Sequence, residues 1–194
     1  MALPILTGLR ECPGREEFEV QEVAQAKLCL GCVTPITGRD PRFAAMQLCN
    51  ILFGGGMTSK LFMQVRERQA LCYAIGSAYY GSKGILTVRA GIDTAREQEC
   101  RQAIFAQLEA CQNGQISQEE LRAAKEAVLS GLRAVYDSPG GMEGYFSAMA
   151  ISGEGRSPEV FRSQVEAVTV EDVVAAAGTL RFHSAFCLRG ADRG

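Results

Sequence analysis

Alternating apolar and polar positions mark the first ordered part of the chain. From Lys27 to Thr34, Leu28, Leu30 and Cys32 share one face and Cys29, Gly31 and Val33 the other, which is the period of a strand. Phe18 to Val23 predicts a shorter strand before it. Residues 1–15 have no period and contain Pro4 and Pro13, so they read as a tail or interdomain linker ahead of a domain over 16–194.

Asp40-Pro41 then has the chemistry of a helix start, a capping carboxylate followed by proline at the first helical position. That helix runs to about Phe53, where Gly54 stops it. After Gly54-Gly55-Gly56, Thr58 or Ser59 caps a short helix. It buries Leu61, Phe62 and Val65 and leaves Lys60, Gln64, Glu67 and Arg68 in water. Cys72 to Tyr80 and Ile85 to Ile92 predict a hairpin around Gly81 and Gly84.

The second half is helical. Cys100, Ile104, Leu108 and Cys111 repeat at helical spacing before Asn113-Gly114. Ser117 and Glu120 form a capping box for the next helix, whose stripe is Leu121, Ala124, Val128, Leu132 and Val135. Asp137 to Gly141 breaks the chain, and helices follow over about Met142 to Ile151, from Ser157-Pro158 and from Thr169 to Gly178. Phe182 to Leu188 is a last strand. The order β-β-α-α-β-β-α-α-α-α-α-β predicts an α+β, two-layer domain, a mainly antiparallel sheet with helices on one face.

Composition narrows this without changing it. A chain of 194 residues, 47% apolar and 22% charged, suits one core. A net charge of −2 gives no basic footprint for nucleic acid or an anionic membrane. No apolar run approaches the roughly 20 residues of a membrane helix, and the first ten residues lack the pattern of a secretory signal. Eight cysteines are scattered, with Cys49, Cys100, Cys111 and Cys187 at core positions, as expected of reduced thiols in a cytoplasmic protein. Cys29 and Cys32 form a C-x-x-C pattern, but mid-strand spacing points them to opposite faces, which weakens a thiol-redox reading.

The candidate chemistry lies between residues 52 and 73. Arg66 falls in the last turn of the short helix and Tyr73 at the head of the following strand. A guanidinium and a phenol are donors that keep their protons near neutral pH. Such donors hold a peptide backbone or an oxyanion developing at a carbonyl. Spacing alone favours a solvated arginine at a helix C-terminus and an aromatic strand residue.

The surrounding run favours the substrate-side role. Leu52-Phe-Gly-Gly-Gly-Met-Thr-Ser-Lys-Leu-Phe62, with Val65-Arg-Glu-Arg68 and Tyr73, resembles the glycine loop and Arg/Tyr pair of the pitrilysin, insulysin and mitochondrial processing peptidase family of zinc peptidases. The resemblance extends over about residues 16–190. It implies a domain of the C-terminal type, which carries no metal. It also implies substrate contact by Arg66, Tyr73, Gly54, Gly55 and Gly56, with the peptide held as an extended strand against a sheet edge.

One departure limits the activity. An active member carries His-x-x-Glu-His and a distal Glu to hold zinc and a general base, whereas this chain has a single histidine, His183. No catalytic residue and no metal ligand is therefore assigned within it. The resemblance implies that zinc sits in a homologous partner domain or subunit, with self-association as the other route to a pair. The alternative is a catalytically inactive relative serving as a structural, assembly or interaction module.

Overall fold

A computed structural model describes residues 13–152 and 155–190. The expected tail over 1–15 therefore falls largely outside the described residues. At the centre of the sheet is β2 (Ala26–Val33), which pairs antiparallel with β4 (Ile85–Ile92) on one side and with β5 (Arg181–Gly190) on the other. β3 (Cys72–Tyr80) extends the sheet beyond β4 as the second arm of the predicted hairpin. β1 (Glu16–Gln21) closes the opposite side, parallel to β5.

The predicted alternation in β2 is realised. Ala26, Leu28, Leu30 and Cys32 are buried, whereas Lys27, Cys29, Gly31 and Val33 face away from the helices. Leu86, Val88, Ala90 and Ile92 of β4 complete the inward face. Against it pack α1 (Phe43–Phe53), α2 (Glu97–Gln112), α3 (Gln118–Ala134), α5 (Pro158–Ala167) and α6 (Val170–Ala177), with Met46, Leu48, Cys49, Cys100, Val173 and Ala176 completely or almost completely buried. At about 25 cal/mol per Å² of apolar surface, this single layer contact is the main source of stability. The cysteines serve it: all seven described thiols are free, and only Cys29 is not fully buried. Desolvation pushes the Cys32 thiol up to about 11.

Three local expectations need correction. The helix expected from Pro41 begins at Phe43, because the Asp40 carboxylate takes the Arg42 amide at 2.8 Å and pairs with the Arg42 side chain, closing a turn first. Lys60 is not in water: its ammonium is largely covered and meets the Glu120 carboxylate at 2.8 Å, a partner 60 residues away. The break expected over Asp137 to Gly141 shrinks to one extended residue, Ser138. Its hydroxyl caps the Gly141 amide at 3.0 Å, so α4 (Pro139–Ser152) starts at the proline.

α4 is unusual in this fold. Its described side chains are half-buried at most, and Met142 and Phe146 are exposed although the helix is mostly apolar. No helix among the described residues is long and apolar enough to cross a membrane.

Candidate functional site

The segment from Leu61 to Arg68 is a π-helix rather than the ordinary short helix its spacing predicts. Wide helical turns of this kind are rare and concentrate at functional sites. Leu61 and Val65 are buried on its inner side, while Phe62 and Arg66 stack with the guanidinium carbon 4.6 Å from the ring centre.

The helix ends in a left-handed turn. Ala70 has φ +48°, the one non-glycine residue with positive φ among those described. The Ala70 amide returns to the Arg66 carbonyl at 3.1 Å and the Leu71 amide to the Val65 carbonyl at 3.0 Å. Each bond spans one residue more than in the usual Schellman end, as the wider helix requires. Leu71 then enters the core, and β3 begins.

A bulge interrupts β3 at once. Cys72 pairs with Ile92 and Ala74 with Gly91, so Tyr73 has no partner on β4. Bulges re-aim side chains beside active sites, and here Tyr73 is 59% exposed. No hydrogen bond to its hydroxyl comes from the described residues.

Arg66 and Tyr73 are brought together as the sequence predicts, but through the backbone. The Arg66 Nε donates to the Tyr73 carbonyl oxygen at 2.9 Å, and Nη1 lies 3.4 Å from the Glu67 carboxylate. The guanidinium is thereby fixed at the rim of a cleft of about 500 Å³ that Tyr73 also lines. Cys72 below it shares a hydrogen bond with Cys100 that holds its thiol under the usual value. Burial opposes this shift and the charge of Arg66 adds to it.

Two residues of the cleft escaped the sequence reading, Asp93 and Arg96. Arg96 donates to the Ala70 carbonyl at 2.8 Å and pairs with Glu99 at 3.1 Å, so a second arginine clamps the turn that presents Tyr73. The only local signal was the Asp93 cap on the Ala95 amide, at 3.0 Å, which announces a helix start and nothing more.

The three glycines separate in role. Gly54 is buried, and its carbonyl accepts the Ser77 amide at 2.8 Å. A Cβ at Gly54 would sit 2.8 Å from that nitrogen, so the glycine is needed for contact with the domain's own strand. Gly55 and Gly56 are exposed, and a Cβ at Gly56 would meet nothing. The outer edge of β3 is thus occupied at Ser77 by the glycine loop and at Tyr73 by Arg66.

The sheet face turned away from the helices stays open. It holds a hollow of about 620 Å³ over β2, β3 and β4, lined on the β3 side by Ala74, Gly76 and Ala78. Ala74 adjoins Tyr73, so the hollow and the Arg66 cleft are neighbours. Among the described residues, no three His, Cys, Asp or Glu side chains gather to hold a metal ion.

Comparison with known proteins gives a consistent result. The family described as "Peptidase M16 inactive domain" matches residues 10–128. A protein of Bacillus subtilis (strain 168) named "Probable inactive metalloprotease YmfF" is 30% identical over 178 residues, covering 92% of this chain and 42% of that protein. An uncharacterized zinc protease of Mycobacterium bovis is 31% identical over 160 residues, 81% of this chain and 36% of the relative.

Among solved structures, a conserved protein from Enterococcus faecalis V583 superposes with a TM-score of 0.87 at 28% identity, over 96% of this chain and 44% of that one. A peptidase M16 inactive domain from Pseudomonas fluorescens shares the fold, with a TM-score of 0.78 at 23% identity, over 93% of this chain and 44% of that one. The chain spans less than half the length of these relatives.

Proposed function

This chain belongs to the peptidase M16 inactive domain family, and from that premise we propose that it is the substrate-side half of a two-domain zinc peptidase. It is a non-zinc domain of a zinc protease-like protein, in keeping with its relatives. In the proposal, a homologous domain carrying His-x-x-Glu-His supplies the zinc and the general base, and this domain encloses an extended peptide. The seven described thiols, all free, support a cytoplasmic setting for it.

The observation that carries the reading is the Arg66 bond to the Tyr73 carbonyl. It fixes the guanidinium and leaves the Tyr73 phenol exposed beside the open sheet face. In the proposal, the remaining Arg66 N–H groups and the phenol contact the peptide backbone near the cleaved bond, where they stabilise charge on its carbonyl oxygen. Gly55 and Gly56 offer exposed backbone close by, and Gly54 ties that loop to β3.

The test uses the chain assembled with its zinc-bearing companion. Arg66→Ala and Tyr73→Phe should each lower kcat/KM by about tenfold or more, the scale of one charge-assisted or oxyanion-directed hydrogen bond. Unchanged turnover in both variants would remove the role.

A second reading, an assembly module without a part in hydrolysis, is favoured by α4. Its exposed Met142 and Phe146 form an apolar surface suited to another protein domain. Loss of complex formation in Phe146→Ser, with turnover insensitive to Tyr73→Phe, would select it.

A further inference from the structure

Two cations stand on the open sheet face without a carboxylate beside them. Lys27 lies opposite Gly91, and Arg89 opposite Cys29, so they are diagonal neighbours on adjacent strands. The Lys27 ammonium folds over Gly91: a Cβ placed on that glycine would come within 3.5 Å of Nζ. Its partner is the Gln25 amide oxygen at 3.4 Å. Arg89 extends the other way along β3 and donates from Nη2 to the Tyr80 hydroxyl at 3.2 Å.

Neither forms an ion pair with the described residues. The carboxylates on the same face belong to β1, at the far edge. Glu19 is separated from Lys27 by Leu188, and Glu17 from Arg89 by Phe186 and Cys29. Both are engaged locally, Glu17 with Arg15 at 3.8 Å and Glu19 with the Gln21 amide at 2.6 Å.

The hollow also reaches Thr87, beyond Arg89 on β4. Thr87 Oγ1 is buried there and has no hydrogen-bond partner among the described residues. Its floor is made small by Gly76, Ala78 and Gly91, which leaves room for another chain's side chains. Lys27 and Arg89 thus present donors across a largely apolar surface that includes Phe186 and Leu188. Carboxylates are the ligands that satisfy such a set.

We propose that this hollow is a specificity site for acidic peptide segments: Asp or Glu side chains at alternate positions of an extended chain lie against Lys27 and Arg89 as that chain passes Tyr73. The inference rests on the peptide-binding reading and adds a substrate class to it. Selection acts through side chains on the sheet face, because the β3 edge is occupied at Ser77 and Tyr73.

The test is fluorescence anisotropy with the full chain and three labelled nonapeptides of Val and Thr alternating with Glu, Gln or Lys. At low ionic strength the Glu peptide should bind about fivefold tighter than the Gln peptide, with the Lys peptide weakest. The advantage should shrink with added salt and vanish in the Lys27→Gln, Arg89→Gln double variant, while Gln-peptide affinity holds. Equal binding of the Glu and Gln peptides would overturn acidic selection and leave peptide binding standing. A Glu advantage that survives the double variant would also overturn it. No binding of any peptide would remove both readings.

Discussion

Arg66 grips Tyr73 by its main chain and leaves its ring alone: Nε donates to the Tyr73 carbonyl oxygen, and the phenol points into solvent. Arg66 therefore has a structural part in the turn that Tyr73 does not share, beside the peptide contacts proposed for both. Arg66→Ala should cost about 1 kcal/mol of stability, the net worth of a hydrogen bond, and Tyr73→Phe should cost almost nothing. Thermal melts of the two variants check this; a Tyr73→Phe melt as low as that of Arg66→Ala would show the hydroxyl to be structural.

Ala70 holds a left-handed conformation that glycine adopts without strain. Ala70→Gly should raise stability by up to about 1 kcal/mol, partly offset by the greater freedom of glycine in the unfolded chain. Ala70→Val should lower it. Denaturant midpoints that move the other way would mean that the turn is not strained.

Gly54 should tolerate no side chain. Gly54→Ala drives a methyl toward the Ser77 nitrogen and the Leu61 methyl group, the latter 2.7 Å from the position the new Cβ would take. A loss of about 1–3 kcal/mol is expected, against none for Gly56→Ala, where the space is open. Equal melting temperatures for the two variants would contradict this geometry.

Acid should weaken the fold through Glu97. Burial alone would raise its carboxyl, but hydrogen bonds from Arg189 and Cys187, with the charges of Arg189 and Arg101, outweigh burial and hold it below the ordinary value. The Arg189 contact is 2.8 Å. A carboxylate with a depressed folded pKa contributes fully above its unfolded value, about 4.3, and loses that contribution as pH falls through the lower folded value. Stability should therefore drop on acidification from about pH 5 toward pH 3, and Glu97→Gln should flatten that limb. Arg189→Met should lower stability at neutral pH, by less than a wholly buried pair would lose because Arg189 is a third exposed. An acid limb unchanged in Glu97→Gln would assign the loss to other carboxylates.

The order of elements was legible because each announces itself within a few residues. Ser117 with Glu120 and Thr169 with Asp172 form capping boxes where they begin helices. What the sequence hid depends on distant or compensating contacts. Lys60 looks like a solvent residue on its own helix, and nothing near it reveals Glu120. The Leu61 and Val65 spacing fits an α-helix as well as a π-helix, so the wider turn was invisible.

The nearness of Arg66 to Tyr73 was legible, but the bulge that frees Tyr73 from its ladder was not. It arises from how β3 registers against β4. Likewise Gly140 and Gly141 suggested a break, which the Ser138 cap and Pro139 overrule.

Both borders of the sheet are closed to their own kind. Along β3, the Gly54 carbonyl takes up the Ser77 amide and Arg66 takes up the Tyr73 carbonyl, groups that would otherwise template a neighbour's strand. At β1 the protection is electrostatic: Glu16, Glu17 and Glu19 fall within six residues, so a second copy aligning there meets like charge. The same loop that lies beside the proposed peptide site thus guards the domain against polymerising edge to edge. Loosening the loop would expose the chain to fibrillar aggregation, whatever its effect on the proposed binding.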